Sequence, residues 1–344
     1  AFIGKSAVVS ASGNVVLNAG DDLTEVLTSG AGAGGGNTGV GASLAVATLV
    51  GTTRAYIGEN AQVSARGNGD AASVYSGETV ITLQGDTPVQ PGSSLVGKRR
   101  ENARGVSVTA YNRENLVSTV VGGAGGGTAG VAATVAANVI ANTTEAYIAR
   151  GARVNENNAA ADASQQVRIK AIDESLMINL AGAGAGGGTA GVGAAGNIGV
   201  LAKTTRAWIG RSAQVNARGA VELSANTAEL TFGATAGFAG GGSAGVGGAV
   251  AGLGLGNTTE AFVENGTQLA DGARINVTGG NLSVSAADFA TSWLVTGAGA
   301  GGGAAGVGVS LSAGVNASTT RARIGDYAET NASGNTSVKA DSTE

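Results

Sequence analysis

The chain has 344 residues and a net charge of −4; only 13% of its residues are charged and 3% aromatic, but 62 are glycine and 43% are hydrophobic. Because disordered chains are polar and highly charged, this composition indicates a folded protein made of thin, closely packed layers of small apolar side chains. Cysteine and histidine are absent, which excludes disulfide bridges, the usual zinc sites and histidine acid–base catalysis. The small, evenly spread charge predicts no nucleic-acid partner.

Both ends of the sequence look like parts of a repeating unit. Residues 1–17 and 322–344 each match the interior of the repeat described below, and no secretory signal is visible at the amino end. We therefore expect the sequence to be an excerpt from a longer protein whose targeting signals lie elsewhere.

Five blocks share one pattern, in which a triple glycine precedes a small-residue stretch, a threonine pair, a charged residue and alanine. The third glycine and the first threonine are 16 residues apart in every block, whereas the period between blocks is 91, 61, 54 and 61 residues. Such self-similarity predicts stacked repeats. The glycines are Gly36, Gly127, Gly188, Gly242 and Gly303, and the threonines are Thr52, Thr143, Thr204, Thr258 and Thr319.

The long second unit contains an insertion near residues 79–105. It holds both prolines of the chain, Pro88 and Pro91, and a basic run of three residues that begins at Lys98. We interpret it as a loop that extends from the repeat into solvent.

The glycine-rich segments must be either helices or strands. Residues 182–202 are uncharged, as a membrane helix would be, but they include nine glycines, each of which costs a helix about 0.5–1 kcal/mol relative to alanine. Residues 131–142 alternate with period two and carry small residues on both parities, which predicts a strand covered on both faces. The glycines are expected to let layers approach closely, and the triple glycines to supply positive-φ residues for a chain reversal.

The segment after each glycine-rich block has one buried and one wet face. In residues 204–209, Ala207 and Ile209 share one parity, whereas Arg206 and Trp208 share the other. Further half-buried strands follow, joined by glycine turns. Since no unit can bury its faces alone, the units must stack. The sequence thus predicts one all-β repeat β-solenoid over residues 1–344, similar to a parallel β-helix, with five to six units of mostly 54–61 residues and no significant helix.

Two outward columns follow the threonine pairs. If each unit is one wide, flattened coil, equivalent residues lie about 4.8 Å apart, so that opposite charges pair and aromatic rings stack. The competing geometry has about three narrow turns of roughly 20 residues per unit. It predicts a stack about 80 Å long, whereas the wide coil predicts a length of about 25–30 Å. Alternation of charge favours the wide coil. The charged column is Arg54, Glu145, Arg206, Glu260 and Arg321, and the aromatic column is Tyr56, Tyr147, Trp208 and Phe262, with Phe2 before it and Arg323 after it.

The run AWIGRSAQVNARGAVELSANT at 207–227, preceded by GAGAGGGTAGVGAA at 182–195, resembles repeats of very large bacterial exoproteins. These are the filamentous haemagglutinin-like adhesins, including leukotoxin-like members with glycine-rich blocks, and the resemblance covers nearly the whole chain except 79–105. It implies a right-handed parallel β-helix, export through an outer-membrane partner pore, and a role as stalk, adhesin or toxin carrier. The sequence departs from the family in its long units and in lacking a counterpart of the family's amino-terminal secretion domain.

Motifs for catalysis or cofactor binding are incomplete. No glycine-rich block has the lysine of a phosphate-binding loop or the aspartate of a calcium-binding β-roll, and we read Asp21, Asp22 and Asp271 as isolated loop acids. The carboxylates are scattered, unlike the pairs of glycosidases, and we interpret Glu145 and Glu260 as ion-pair partners. We therefore expect no enzymatic activity, no cofactor and no metal site.

The leading hypothesis is a structural or adhesive segment of a large secreted protein at the bacterial cell surface. Its expected partners are glycans or proteins of host cells or matrix, an outer-membrane pore for the parent protein, and further copies of itself. A second hypothesis is a glycan- or ice-binding module that uses the aromatic and threonine columns. A third is a membrane-active toxin segment that uses the uncharged stretches.

Overall fold

The computed structural model describes residues 1–77 and 100–343, and in it each repeat unit forms one complete coil. The chain runs out along one long sheet, reverses at the triple glycine, returns along a second long sheet and closes through a short third sheet. All pairing between coils is parallel within these three sheets. The predicted all-β solenoid is confirmed.

The outbound sheet leads to the triple glycines, the return sheet leads away from them, and the short sheet closes each coil. The outbound strands are β3 (Val15–Gly35), β8 (Gly105–Gly126), β11 (Gln166–Gly187), β15 (Val221–Gly241), β19 (Leu282–Gly302) and β23 (Thr336–Thr343). The return strands are β1 (Phe2–Ile3), β4 (Thr38–Ile57), β9 (Ala129–Ile148), β12 (Ala190–Leu201), β13 (Thr204–Ile209), β16 (Ala244–Leu255), β17 (Thr258–Val263), β20 (Ala305–Asn316) and β21 (Thr319–Ile324). The short strands are β2 (Val8–Ala11), β5 (Gln62–Ala65), β10 (Arg153–Val154), β14 (Gln214–Ala217), β18 (Arg274–Val277) and β22 (Glu329–Ala332).

The register between coils decides between the two geometries. Glu145 in β9 pairs with Arg54 in β4 on one side and with Arg206 in β13 on the other, so residues one period apart are direct neighbours. Three narrow turns per unit would instead separate them by three strands. Five complete coils, with a partial coil at each end, therefore make a stack of about 25–30 Å.

Each coil has a three-sided base and a two-layered blade. In the base all three sheets surround the main apolar core, in which side chains such as Ile148, Val154 and Ile169 are fully buried. Beyond the base only the outbound and return sheets face each other. We call this part the blade, and it consists of residues 26–50, 117–141, 178–202, 232–256 and 293–317.

Near the tip of the blade the two long sheets lie backbone against backbone. A Cβ on Gly39 would overlap the carbonyl oxygen of Gly125, and one on Gly191 would overlap that of Gly240. The expectation that glycine permits close approach of layers is therefore confirmed.

The expectation of positive-φ residues in the triple glycines is wrong. Among the described residues the positive-φ glycines are Gly67, Gly77, Gly105 and Gly151, none of which belongs to a triple glycine. The reversal needs glycine for space instead, because a Cβ on Gly35 would overlap the carbonyl oxygen of Thr38.

The prediction that the small-residue strand is covered on both faces is also wrong. In β9 the inward Ala132 and Ala136 are buried, but the outward Val131 and Val135 are 36% and 39% exposed. The outward face of the return sheet has no third layer over it in the described part of the chain. Period-two alternation found the strand, but it does not reveal which faces are covered.

The predicted insertion at 79–105 lies largely outside the described residues, which resume at 100. Strand β7 (Arg100–Ala103) pairs antiparallel with β6 (Ala72–Tyr75), and Gly105 already begins β8. This pair of strands is held to the outbound sheet by stacking of Tyr75 on Tyr111, with ring centroids 4.9 Å apart. Glu101 adds ion pairs to Arg168 and Lys170.

The assignment of two acids to loops needs correction. Asp21 and Asp22 lie within β3, and Asp22 is 3.7 Å from the guanidinium of Arg113 in the next coil. Asp271 closes a short 3-10 turn at Leu269–Asp271. The long outbound strand extends through polar residues that resemble a loop when one unit is read alone.

Candidate functional site

The predicted charged column forms ion pairs at three of its four steps along the stack, with none between Glu145 and Arg206, and we call it the ladder. Arg54 Nε lies 2.6 Å from Glu145 Oε2, and Arg206 Nε lies 2.9 Å from Glu260 Oε2. Arg321 Nη1 contacts the other oxygen of Glu260 at 3.4 Å. The two glutamates are shielded, with side chains 13% and 15% exposed, whereas the arginines reach into solvent. The predicted ion-pair role of both glutamates is confirmed.

The predicted aromatic column is a continuous stack of rings. Tyr147 lies between Tyr56 and Trp208, with centroid separations of 4.8 and 4.0 Å and near-parallel planes. Phe2 caps the amino end of the stack at 5.2 Å, and Trp208 continues to Phe262 at 5.9 Å. The guanidinium of Arg323 lies 4.8 Å above the last ring.

This stacking limits what the column can bind. Each interior ring has another ring on both of its faces, so only ring edges reach solvent. Sugar recognition by aromatic side chains uses an open ring face, and the geometry therefore favours a role in holding coils together. Whether the column binds a ligand remains a prediction.

The outer wall of the blade is a broad apolar surface that sequence reasoning missed. It consists of the outward residues of 38–50, 129–141, 190–202, 244–256 and 305–317, and its only polar members are Thr38 and Thr48. In each coil, the segment that includes the outer-wall strand contains no charged residue. These segments are 26–53, 115–144, 175–202, 230–259 and 289–320.

The large side chains of the outer wall are exposed to solvent. Val50 is 75% exposed and Leu44 is 61% exposed, for example. Seven outward positions on each of five strands span an area on the order of 1,000 Å², which exceeds the apolar patches usual on monomeric proteins. The exposed members are Val40, Leu44, Val46, Val50, Val131, Val135, Val192, Ile198, Val200, Val246, Val250, Val307, Val309, Leu311 and Val315.

Between the base and the blade lies a buried polar layer, which sequence reasoning also missed. Its centre is Lys203, whose side chain has no solvent exposure and whose Nζ lies 2.5 Å from Asp173 Oδ1. Glu229 Oε1 and Glu114 Oε2 lie 3.8 and 3.9 Å from the same nitrogen. The inward polar residues of this layer are Asn112, Glu114, Asn142, Thr144, Asp173, Lys203, Thr205, Thr227, Glu229, Asn257, Thr259 and Asp288.

Burial and neighbouring charges shift the pKa values of the ionisable groups in this layer. Burial raises the pKa of Glu114 to about 7, and the charge of Asp173 adds to the rise while Lys203 opposes it. Burial likewise raises the pKa of Glu229 to about 7, against the lowering effect of Lys203. Burial alone would lower the pKa of Lys203, but the three carboxylates outweigh it and raise that pKa above its usual value.

A weak signal for this layer exists in the sequence. The position before each threonine pair holds Gly51, Asn142, Lys203, Asn257 or Ser318, and Lys203 is the one charged member. Its carboxylate partners come from other segments, 26 to 89 residues away, so nothing local connects them.

The described residues contain no group of three or more Asp, Glu, His or Cys side chains arranged to hold a metal ion. In the same part of the chain no helix has the length and hydrophobicity needed to cross a membrane. No family model, no curated protein and no solved structure matches the chain.

Proposed function

We propose that the chain is a structural segment of a bacterial surface exoprotein, a rigid length of stalk that presents other parts of the parent protein. The observation that carries this proposal is the in-register stacking of five coils through three parallel sheets. Every strand of the three parallel sheets pairs only with strands of the coils before and after it, so the stack of coils extends along one axis.

The columns along that axis support the same role. The ring stack continues from coil to coil on the base of the return sheet, and the ion pairs of the ladder join neighbouring coils at three of its four steps, so both columns tie neighbouring strands together. Secretion through an outer-membrane pore comes from the family resemblance and is part of the proposal.

Truncation by whole coils tests the stalk. A chain of residues 1–277 lacks coil five, and we expect it to keep the circular dichroism of β-sheet and to lose thermal stability by a step rather than completely, because each coil contacts only its neighbours. A chain that also lacks coil four, residues 1–217, should lose a second, similar step. Complete unfolding on removal of coil five would contradict a stack of semi-independent coils.

The outer wall favours a second role, lateral association with another copy of the chain. Its area of about 1,000 Å² compares with the roughly 800 Å² that each partner buries in a stable interface. Two flat, pleated faces of small side chains pack against each other directly. A lipid bilayer is a different occupant of this surface, and the vesicle experiment below distinguishes it from a second copy of the chain.

A pair of matched variants tests this association. Val135 lies in the outer wall, whereas Val121 lies on the outward face of the outbound sheet in the same coil and is 56% exposed. We expect Val135→Lys to convert a dimer into a monomer in analytical ultracentrifugation and Val121→Lys to leave the dimer intact. A wild-type monomer, or equal effects of the two variants, would contradict the proposal, and flotation with neutral vesicles would indicate lipid instead.

The glycan- and ice-binding hypothesis and the membrane-active hypothesis remain predictions. The threonine column gives a single row of outward hydroxyls beside charged and aromatic rows, and the ring faces of the aromatic column are occupied by neighbouring rings.

A further inference from the structure

The polar layer places an amine and a carboxyl group in direct contact inside a dry interior. Lys203 Nζ and Asp173 Oδ1 are 2.5 Å apart, and neither side chain has measurable solvent exposure. Asp173 belongs to the outbound strand β11, whereas Lys203 lies between β12 and β13 of the return sheet. The contact therefore bridges the two long sheets of the central coil.

We propose that Lys203 and Asp173 become joined by an intramolecular isopeptide bond after the chain folds. The geometry supplies what an amide-forming condensation needs: a nucleophile held against its carboxyl group, donors on the oxygen that becomes the carbonyl, and groups for proton transfer. Fixed proximity of this kind replaces the entropy that a bimolecular reaction would lose.

The second oxygen of Asp173 is held by two donors. Thr144 Oγ1 donates to Asp173 Oδ2 at 2.8 Å, and Asn112 Nδ2 donates to the same atom at 3.2 Å. These bonds fix the plane of the carboxyl group and stabilise negative charge on that oxygen when the carbon becomes tetrahedral.

Two glutamates stand beside the amine as proton-transfer groups. Glu229 and Glu114 approach Lys203 Nζ to 3.8 and 3.9 Å. Because their pKa values are raised to about 7, each can both hold and release a proton near neutral pH.

The reaction balances without an oxidant or an external reagent. The ammonium of Lys203 first passes a proton to Asp173 Oδ1, and the neutral amine then attacks the carboxyl carbon. A protonated glutamate gives its proton to the departing hydroxyl, which leaves as water, and takes back the extra proton of the new amide nitrogen. One C–N bond forms, one C–O bond breaks, and a buried ion pair becomes a neutral amide. Loss of the ion pair is favourable, since charges buried away from water are costly.

The pair occurs once among the coils of the described chain. The register places Asp21, Asn112, Thr227 and Asp288 at the position of Asp173 in the other coils. Positions equivalent to Lys203 hold no other lysine. The bond would close a loop of 30 residues between the two partners and lock the blade of the central coil against opening.

Mass spectrometry of the intact, folded protein tests the proposal. We expect a mass lower by one water than that of the sequence, and, after proteolysis, a branched peptide that contains both Asp173 and Lys203. A folded wild-type protein with the full sequence mass would overturn the proposal, and so would separate peptides for the two residues.

The role of the glutamates is tested by following water loss after refolding. We expect Glu229→Gln and Glu114→Gln each to slow bond formation by on the order of 100-fold, as for loss of a general acid–base group. Glu260→Gln, in the surface ladder, is the matched control and should keep the wild-type rate. Unchanged rates in both buried variants would overturn the assignment of these groups, and the wild-type mass decides the bond itself if a variant does not fold.

Discussion

At the scale of single residues, the stack is held by columns of identical or complementary side chains. A surface ion pair such as Arg54–Glu145 contributes little by itself, about 0–1 kcal/mol. The ladder repeats this contact where Glu260 pairs with Arg206 and Arg321, and both glutamates are largely shielded from solvent. The rings add contacts of aromatic on aromatic, each about 0.5–1.5 kcal/mol beyond the area they bury. The columns thus fix register as well as stability.

The polar layer makes stability depend on pH in an unusual direction. Glu114 and Glu229 have pKa values raised from the ordinary 4.5 to about 7, so the folded state binds more protons than the unfolded state between those values. We expect the free energy of unfolding to be highest near pH 4.5 and to fall as pH rises to about 7. The groups that face these carboxyls are Lys203, Asp173, Asp21, Asp288, Asn112, Asn142 and Asn257.

The measurement for this prediction is the thermal midpoint between pH 5 and 8. The pKa of Glu222 is lowered by Lys170 and Arg168 against the effect of burial. Its titration makes the free energy of unfolding rise with pH, but only below the ordinary pKa of 4.5, which is outside this pH range. Glu229→Gln removes one of the two titrations and should flatten the slope. A midpoint that rises with pH over this range would show that the two carboxyls are charged in the folded state.

At the scale of elements, glycine sets how closely the two sheets of the blade approach. The same residue type has two roles in one coil: Gly191 faces the opposite backbone, whereas a Cβ on Gly184 would meet nothing within 4 Å. A glycine-rich strand is weak by itself, and here the contacts between layers compensate for that weakness.

Two alanine substitutions separate these roles. We expect Gly191→Ala to lower the free energy of unfolding by about 1–3 kcal/mol, because the added methyl group forces the sheets apart. Gly184→Ala should be neutral or stabilising by up to about 1 kcal/mol, since alanine restricts the unfolded chain. Denaturant titrations of both variants measure the difference, and equal effects would show that close packing does not require Gly191.

At the scale of the whole molecule, each coil is a structural unit that can be removed. Deletion of residues 206–320 joins Thr205 to Arg321. Arg321 is at the position equivalent to Arg206, because both residues pair in register with Glu260. The shortened chain keeps three coils, places Arg321 beside Glu145 and places Arg323 beside Tyr147. We expect it to fold, because both columns keep their complementary order.

A deletion that is one residue longer provides the control. Removal of 206–321 joins Thr205 to Ala322 and turns every following side chain of that strand to the opposite face. Circular dichroism and proteolysis should show a folded protein for the first deletion and an unfolded last coil for the second. Equal protection of the two chains would indicate that register is not set by the strand faces.

Much of the fold follows from the sequence because the same pattern of residues recurs in every repeat unit. Arg and Glu alternate at one position after each threonine pair, and aromatic residues recur two positions later, so the wide coil follows from columns read across units. The role of the triple glycine was missed, because close approach of two backbones and a positive φ both select glycine. The strands near Asp21 and Asp22 were missed because one polar stretch resembles a loop.

The sequence by itself determined the strands, the period and the columns, since these depend on residue type at fixed spacing along the chain. Only the tertiary structure decided what lies inside and outside the blade. The valines of the outer wall face solvent, while Lys203, Asp173, Glu114 and Glu229 meet in the interior. Those four residues come from three coils and both long sheets, so their contact exists only when stacking has brought together segments that are far apart in the chain.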